Sequence, residues 1–415
     1  MDAPISAWPA WPGVLAAVSA LLLLLCAYSY IGYPLLVRYL LATRKTAPPE
    51  AQSDEWPMLT VLVAAYNEVA VIAAKVENLL DQDYPAGRFE VLVVSDASDD
   101  GTDEAVRQID DARLRFFRQA ARSGKTAGIN RLGGEARGEI FIQTDANVMF
   151  SKSALRALAV PFRDPSVGLV VGEVVLTNAD DPDVAAGEGL YWRFEQWTKR
   201  NEALRGLLVV ASGGIYAIRR SLWGELPDNV DGDAVEPLLV ARQGSRTVIA
   251  HDAIGYEPAA ATLSEEFWRK SRIIARQVAC ARWISLRSLS PRILWAYVSH
   301  KLLRYSVPFL ALLAAGLGLA AAYGGSSLGA ACAAAVLLPL VLAPLGLLPW
   351  PGVLHRVLWI PLYLVVINAS AVTGVLLGLR GRSPIAWSVP ASTRPGARLS
   401  GPGDDGAASR AERLH

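Results

Sequence analysis

The sequence predicts an α/β domain with a mostly parallel sheet, set between membrane-spanning helices on both sides. Three observations carry this. Short β-branched runs alternate with helical stretches from Leu59 to Thr144, and βαβ alternation builds a parallel, doubly wound sheet. Two of the runs end in aspartate, Val91-Leu92-Val93-Val94-Ser95-Asp96 and Ile140-Phe141-Ile142-Gln143-Thr144-Asp145. Ligands of open parallel sheets bind beyond the carboxyl ends of the strands, where these aspartates fall. Long apolar segments bracket the whole stretch.

Taken in order, Gly13–Leu41 is almost wholly apolar. A bilayer crossing needs about 20 apolar residues. The run is too long for a signal-peptide core and no small-residue cleavage site ends it, so it reads as an uncleaved anchor. Strands follow at Leu59–Ala65, Phe89–Ser95, Leu114–Arg118 and Glu139–Thr144, with helices at Val69–Leu80 and Lys125–Ala136 between them. Asp99-Asp100-Gly101-Thr102 is a turn with capping residues that opens a helix to Ile109. Beyond Asp145 the periodicity loosens. Val167–Val175, Ile215–Ile218 and Arg246–Ala250 read as strands, Val184–Gly206 and Gly232–Gln243 as helices, and Ser212-Gly213-Gly214 as a turn. Tyr305–Tyr323, Leu328–Leu348 and Val357–Leu379 are long and apolar enough to be three further spans. The expected plan is an anchor over 1–45, an α/β domain over 46–262, basic interfacial helices over 263–304, three spans over 305–380 and a polar, disordered tail over 381–415.

Composition agrees with a membrane protein: 52% of the 415 residues are hydrophobic and the mean hydropathy is +0.28. The net charge of +1 says little; its distribution says more. Asp2 alone precedes the first apolar segment, whereas Arg38, Arg44 and Lys45 sit at or after its end. The positive-inside rule then puts Glu50–Ser299 in the cytoplasm, as an integral protein of the cell or inner membrane. Three more spans place the tail outside, yet Arg380, Arg382, Arg394, Arg398, Arg410 and Arg413 argue for the inside, and both readings stand. Phe267–Arg304 carries nine Lys/Arg and no acid, interleaved with Trp268, Trp283, Trp295 and Tyr297. That pattern suits helices lying on an anionic leaflet and excludes a soluble basic face for nucleic acid. Alternatively Arg269, Arg272 and Arg276, at helical spacing, face a diphosphate. His300 reads as a surface residue beside Lys301. The cysteines Cys26, Cys280 and Cys332 form no CxxC or Cys/His cluster, so no structural zinc site or disulfide framework is expected.

A carboxylate repels phosphate, so aspartates lining a nucleotide crevice have one of two uses. They accept from a base N–H, or they hold a divalent cation that bridges to a diphosphate. Asp96 suits the first and Asp145 the second, with Mg²⁺ or Mn²⁺ as the metal. Asn147, next but one along, offers a neutral oxygen ligand. Lys125 supplies a cation for a diphosphate.

Thr60-Val61-Leu62-Val63-Ala64-Ala65-Tyr66-Asn67-Glu68 and Val94-Ser95-Asp96-Ala97-Ser98-Asp99-Asp100-Gly101-Thr102 resemble the opening of family 2 glycosyltransferases. Arg122-Ser123-Gly124-Lys125-Thr126-Ala127-Gly128-Ile129-Asn130 is similar to their "GK…N" segment, and Thr144-Asp145-Ala146-Asn147 to their DxD position. The likeness covers roughly residues 57–283 and is greatest to the membrane-bound cellulose synthase-like and hyaluronan synthase-like members. It implies a GT-A fold and a nucleotide-sugar donor, with UDP as the expected nucleotide. Ala65, Asn67, Glu68, Asp96 and Lys125 would surround the nucleoside, and Asp145 would reach metal and diphosphate.

Inverting transfer needs a base for the acceptor hydroxyl. The family's acidic motif matches Val230-Asp231-Gly232-Asp233-Ala234-Val235-Glu236-Pro237-Leu238, which implies Asp233 as the base, with Asp231 as a rival and Glu236 as a weaker candidate. Gly232 stands where many relatives carry an acid, and Asn147 replaces the second Asp of DxD. Gln277-Val278-Ala279-Cys280-Ala281-Arg282-Trp283 is a QxxRW-like segment with two extra residues; Arg282 and Trp283 are its expected acceptor residues. Together these imply sugar transfer to a hydroxyl of a polysaccharide or lipid-linked saccharide. Single-sugar transfer to a polyprenyl or glycolipid acceptor, or a non-catalytic transport or scaffold protein with a degenerate nucleotide fold, are the alternatives. Four spans are few for an export channel without a homo-oligomer or a partner.

Overall fold

A computed structural model describes residues 11–41, 55–177, 188–258, 262–348 and 350–381. The expected polar tail, and the arginines and lysine placed beyond these limits, lie outside the described residues.

An eight-stranded mixed sheet has the order β3-β2-β1-β4-β7-β6-β8-β5. Its strands are β1 (Leu59–Ala65), β2 (Phe89–Ser95), β3 (Leu114–Arg118), β4 (Ile140–Asp145), β5 (Met149–Phe150), β6 (Val167–Leu176), β7 (Ile215–Arg219) and β8 (Arg246–Glu257). The first four are mutually parallel. β7 runs antiparallel to both β4 and β6, so the sheet is mostly parallel rather than uniformly so. All seven residues of β1 and of β2 are buried, as continuous apolar runs must be when both faces of a parallel sheet are covered. Val61, Val63, Val91 and Val93 pack into one core layer, Leu62, Ala64, Leu92 and Val94 into the other. Each such side chain contributes roughly 1.5–3 kcal/mol on burial.

Register brings the functional strand ends together. Ala65 pairs with Ser95 and Ala64 with Asp145, so the ends of β1, β2 and β4 share one edge about 4.8 Å apart strand to strand. The helices of this half are α1 (Trp11–Tyr39, with a π-turn at Tyr28–Gly32), α2 (Ile72–Leu80), α3 (Thr102–Arg107) and α4 (Lys125–Glu135). In the second half are α5 (Ala154–Ala159), α6 (Glu188–Ala203), α7 (Gly232–Arg242) and α8 (Leu263–Trp283).

Four helices are long and apolar enough to cross a membrane: α1, α9 (Pro291–Tyr323), α10 (Ser327–Leu347) and α11 (Gly352–Leu379). Protein leaves much of their surface uncovered; Leu21 and Leu24 are 65% and 66% exposed, as lipid-facing residues would be. α9 begins at Pro291, not at Tyr305. Ser290 caps it by accepting from Ile293 N at 3.5 Å, and Pro291 takes the first turn, where its missing N–H costs nothing. The expected interfacial stretch 291–304 is therefore the start of the second span's own helix.

His300 corrects the sequence reading. It is fully buried, with Nδ1 2.7 Å from Glu202 and Nε2 3.1 Å from Glu195. Glu195 also accepts from Lys301 at 2.8 Å and Arg304 at 2.7 Å, and Glu202 from the hydroxyl of Tyr33 in α1 at 2.6 Å. Burial pushes the Glu195 carboxyl up, but Lys301, then His300 and Arg304, draw it well below the usual range. A surface assignment failed because the partners of His300 lie about a hundred residues upstream, on α6.

α11 seats α8 through Gly374 and Gly378. A Cβ at Gly374 would lie 2.6 Å from Ser271 O, and one at Gly378 2.8 Å from Ala275 O. Small residues at this spacing let two helix backbones approach. Replacing Gly374 by Leu is expected to cost about 1–3 kcal/mol through overpacking, lowering the thermal midpoint in detergent. An unchanged midpoint would show that the two helices do not pack this way.

Candidate active site

The site forms where the sheet edge meets α4, α7 and α8. A cavity of about 360 Å³ runs from Lys125, Asp145 and Asn147 past Asp231 and Asp233. It ends on membrane-helix residues: Tyr30 of α1, Tyr305 of α9 and Asn368 of α11.

Lys125 opens α4 and its ammonium pairs with the Asp145 carboxylate. Burial alone would lower the lysine's pKa; Asp145 more than reverses this, and the net shift is upward. Two positions on, the Asn147 Oδ1 is buried without a hydrogen-bond partner. A carboxylate and an orphaned amide oxygen one residue apart fit a divalent cation whose remaining ligands come from substrate phosphate, the usual habit of Mg²⁺. Among the described residues no group of three His, Cys, Asp or Glu could hold a metal by itself.

Asp233 lies in the first turn of α7. Its carbonyl accepts from Ala211 N at 2.8 Å, which ties it to the Ser212-Gly213-Gly214 turn. Burial, then the neighbouring Asp231, push its carboxyl up to about 6. Asp231 itself is held by Arg276 at 2.7 Å, which also donates to Thr126 at 3.2 Å. The rival carboxylate is thus engaged in a salt bridge, while Asp233 makes no ion pair among the described residues. Gly232 has a physical reason. A Cβ there would stand 2.6 Å from the Tyr216 hydroxyl and 3.2 Å from the Glu236 carboxyl. Glu236 accepts from Gln143 at 3.1 and 3.2 Å, and burial raises it to about 7.

Of the residues expected around a nucleoside, Lys125 lines the cavity, while Ala65, Asn67, Glu68 and Asp96 gather at the strand edge apart from its lining. Asp96 N donates to Ala65 O at 2.8 Å. The Asp96 carboxylate accepts from the backbone N–H of Ser123 and Gly124 at 2.7 and 2.8 Å, so it braces the loop that delivers Lys125. Asn67 and Ala97 hold left-handed φ of 53° and 60°. Asn67 offsets this with reciprocal bonds to Asp99 at 2.8 and 3.1 Å. Ala97 has no such side chain, and a left-handed alanine costs roughly 1–2 kcal/mol. Glu68 is buried, and its carbonyl accepts from Val71 and Ile72 at the start of α2.

The two expected acceptor residues stand apart from this cavity. Arg282 and Trp283 are absent from the cavity lining, whereas Gln277 lines it. They stand on the last turn of α8, where Arg282 donates to Leu379 O at 3.0 Å and Trp283 is 41% exposed. The two extra residues in the motif carry them past the cavity. Of the three helical arginines, Arg276 holds Asp231, Arg269 pairs with Glu266 at 2.7 Å, and Arg272 lines the cavity.

Sequence reading missed two lysines. Lys75 is wholly buried beneath the Asp145–Val148 turn, donating to Thr144 Oγ1 at 3.0 Å and to the Val148 carbonyl, over the ring of Phe150. Burial lowers it to about 7. Lys199 donates to Ala211 O at 3.0 Å and Ser212 Oγ at 3.3 Å. A lysine at the helical spacing of the apolar Ile72, Val76 and Leu79 was the available signal for Lys75.

Residues 60–226 match the family described as Glycosyl transferase family 2. A beta-monoglucosyldiacylglycerol synthase of Trichormus variabilis is 28% identical over 187 residues, 42% of this chain and 40% of that protein. An N-acetylglucosaminyltransferase of Rhizobium meliloti is 26% identical over 258 residues, 58% and 59% of the two chains. The chain thus spans about two fifths of the length of the first and under two thirds of the second. Among solved structures, the mannosyltransferase PcManGT from Pyrobaculum calidifontis, in complex with GDP-Man and Mn²⁺, superposes with a TM-score of 0.66. Its identity is 25%, covering 89% of this chain and 99% of that one. Residues 60–226 are therefore a glycosyltransferase family 2 domain, and the fold that carries it is GT-A.

Proposed function

We propose that the chain is a membrane-embedded, inverting glycosyltransferase. It moves a sugar from a nucleotide-diphosphate donor to a hydroxyl of a polysaccharide or lipid-linked saccharide at the membrane, with its GT-A domain on the cytoplasmic face. The observation that carries this reading is a single cavity shared by Asp145, Asn147, Lys125 and Asp233 that also reaches three membrane helices. A donor fixed at the sheet edge and an acceptor arriving from the bilayer meet there.

In this reading Asp145 and Asn147 hold Mg²⁺ or Mn²⁺, which would neutralise the departing diphosphate when bound. Lys125 places a second positive charge on that diphosphate. Asp96 and the turn it braces shape the nucleoside end, with Ala65, Asn67 and Glu68 around it. Asp233 takes the proton of the acceptor hydroxyl as its oxygen bonds to the anomeric carbon. The bond from that carbon to the donor diphosphate breaks, and its electrons leave with the diphosphate. One displacement inverts the anomeric centre. A raised pKa brings the base closer to the operating pH than an ordinary aspartate would be.

Membranes or purified protein given labelled UDP- and GDP-sugars with Mn²⁺ or Mg²⁺ test the activity; no transfer from any donor would remove the reading. Asp233→Asn and Asp145→Ala are each expected to lower kcat by at least about 100-fold; retained turnover in Asp233→Asn would transfer the base role elsewhere. Because Asp233 must be unprotonated to accept, kcat/KM should fall as pH drops through about 6, and a flat profile from pH 5 to 8 would contradict the assignment. Asn147→Asp restores a second carboxylate and should reduce the Mn²⁺ concentration needed for half-maximal donor binding in calorimetry. An unchanged requirement would place the metal elsewhere.

A further inference from the structure

The membrane end of the cavity carries a charge that a neutral acceptor does not need. Along its walls lysine and arginine outnumber aspartate and glutamate eight to five. Two of the cations share one carboxylate, since Arg269 and Lys270 both pair with Glu266 at 2.7 Å. Lys301 and Arg304 likewise share Glu195. Arg272 lines the cavity and makes no ion pair among the described residues.

Arg304 is the most informative of these. It is 4% exposed, and one nitrogen serves Glu195 at 2.7 Å. Its Nε and Nη2 are buried with no hydrogen-bond partner, beyond the rings of Tyr30 and Phe194 on which the guanidinium rests. A buried donor left unmade is costly, and more so on a cation. Depth says what should meet it. The apolar run from Tyr305 to Tyr323 rises about 28 Å at 1.5 Å per residue, close to the hydrocarbon thickness of a bilayer. Arg304 and Lys301 precede that run, so they stand at the level of lipid headgroups. Gln277, also on the cavity wall, has an Oε1 with no partner, suited to a sugar hydroxyl.

Building on the proposed transferase activity, we infer that the acceptor is an anionic lipid. A phosphate joins its tail to the sugar that is extended, and the phosphate sits on Arg304, Lys301 and Arg272. A tetrahedral phosphate offers several acceptor oxygens to diverging N–H groups, and charge-assisted bonds of this kind are about twice as strong as neutral ones. A neutral glycolipid leaves Arg304 unsatisfied.

The test compares two probes with the same hexose, one on a polyprenyl phosphate and one on diacylglycerol. The full chain in detergent binds each, read by native mass spectrometry, and then turns each over with donor. The phosphate probe should bind at least 10-fold more tightly. Arg304→Lys and Arg272→Gln should raise the acceptor KM about 10-fold or more and leave the donor KM unchanged. Equal binding of both probes overturns the inference. So does a rise confined to the donor KM, which would assign these cations to the nucleotide diphosphate. Displacement of the lipid by inorganic phosphate as effectively as by unlabelled lipid also overturns it, since the site would then take free phosphate. Because binding is read without turnover, selective binding with no transfer would instead count against the proposed activity and leave the phosphate site standing.

Discussion

Three aspartates, Asp145, Asp231 and Asp233, line one cavity, and the rest of the structure answers to that constraint. Like charges at close range in a poorly solvated place cannot all ionise unopposed. Lys125 meets Asp145 and Arg276 meets Asp231. Asp233, without an ion pair among the described residues, is the one whose proton affinity rises, through burial first and Asp231 second. The asymmetry separates the two roles that transfer chemistry needs: a carboxylate committed to positive charge, and another free to exchange a proton. It favours Asp233 over Asp231 as the proposed base on a physical ground that sequence could not supply. Asp231 has Arg276 beside it, whereas burial first and Asp231 second raise Asp233.

The same arrangement ties the GT-A domain to its membrane helices. The turn beside Asp233 is braced by Lys199. One helical turn away on α6, Glu195 joins the cations of α9, and Glu202 joins His300 and Tyr33 of α1. Buried ion pairs contribute little net stability once desolvation is counted, but removing one partner is strongly destabilising. The cluster therefore acts chiefly as a register: it fixes where the long apolar helices meet the domain, and, in the proposed reaction, where acceptor would meet donor.

Much of this was legible in the sequence, and the failures are instructive. Strands β1 to β4 were readable because a doubly covered parallel sheet demands unbroken apolar runs, and their ends carried Asp96 and Asp145. Lys125, Asn147 and Asp233 were reached through motif spacing, and all three line the cavity. What escaped depends on contacts distant in sequence. His300 looked exposed because its carboxylates sit on α6. Arg282 and Trp283, the motif's expected acceptor residues, stand five and six residues along α8 from Gln277, outside the cavity lining. Lys75 escaped because a lysine inside an apolar stripe is ordinarily a solvated interruption. β8 extends to Glu257 rather than ending near Ala250, because its second half pairs with β6 and β5 after a bulge, and pairing, not local propensity, sets its length.

The central claim is that one displacement, with Asp233 as the only base, moves the sugar. The most direct measurement is the anomeric configuration of the product formed from a donor of known configuration, read by NMR from the one-bond C–H coupling at the transferred sugar. The account predicts inversion. Retention would require a second displacement or a covalent sugar intermediate and would contradict it.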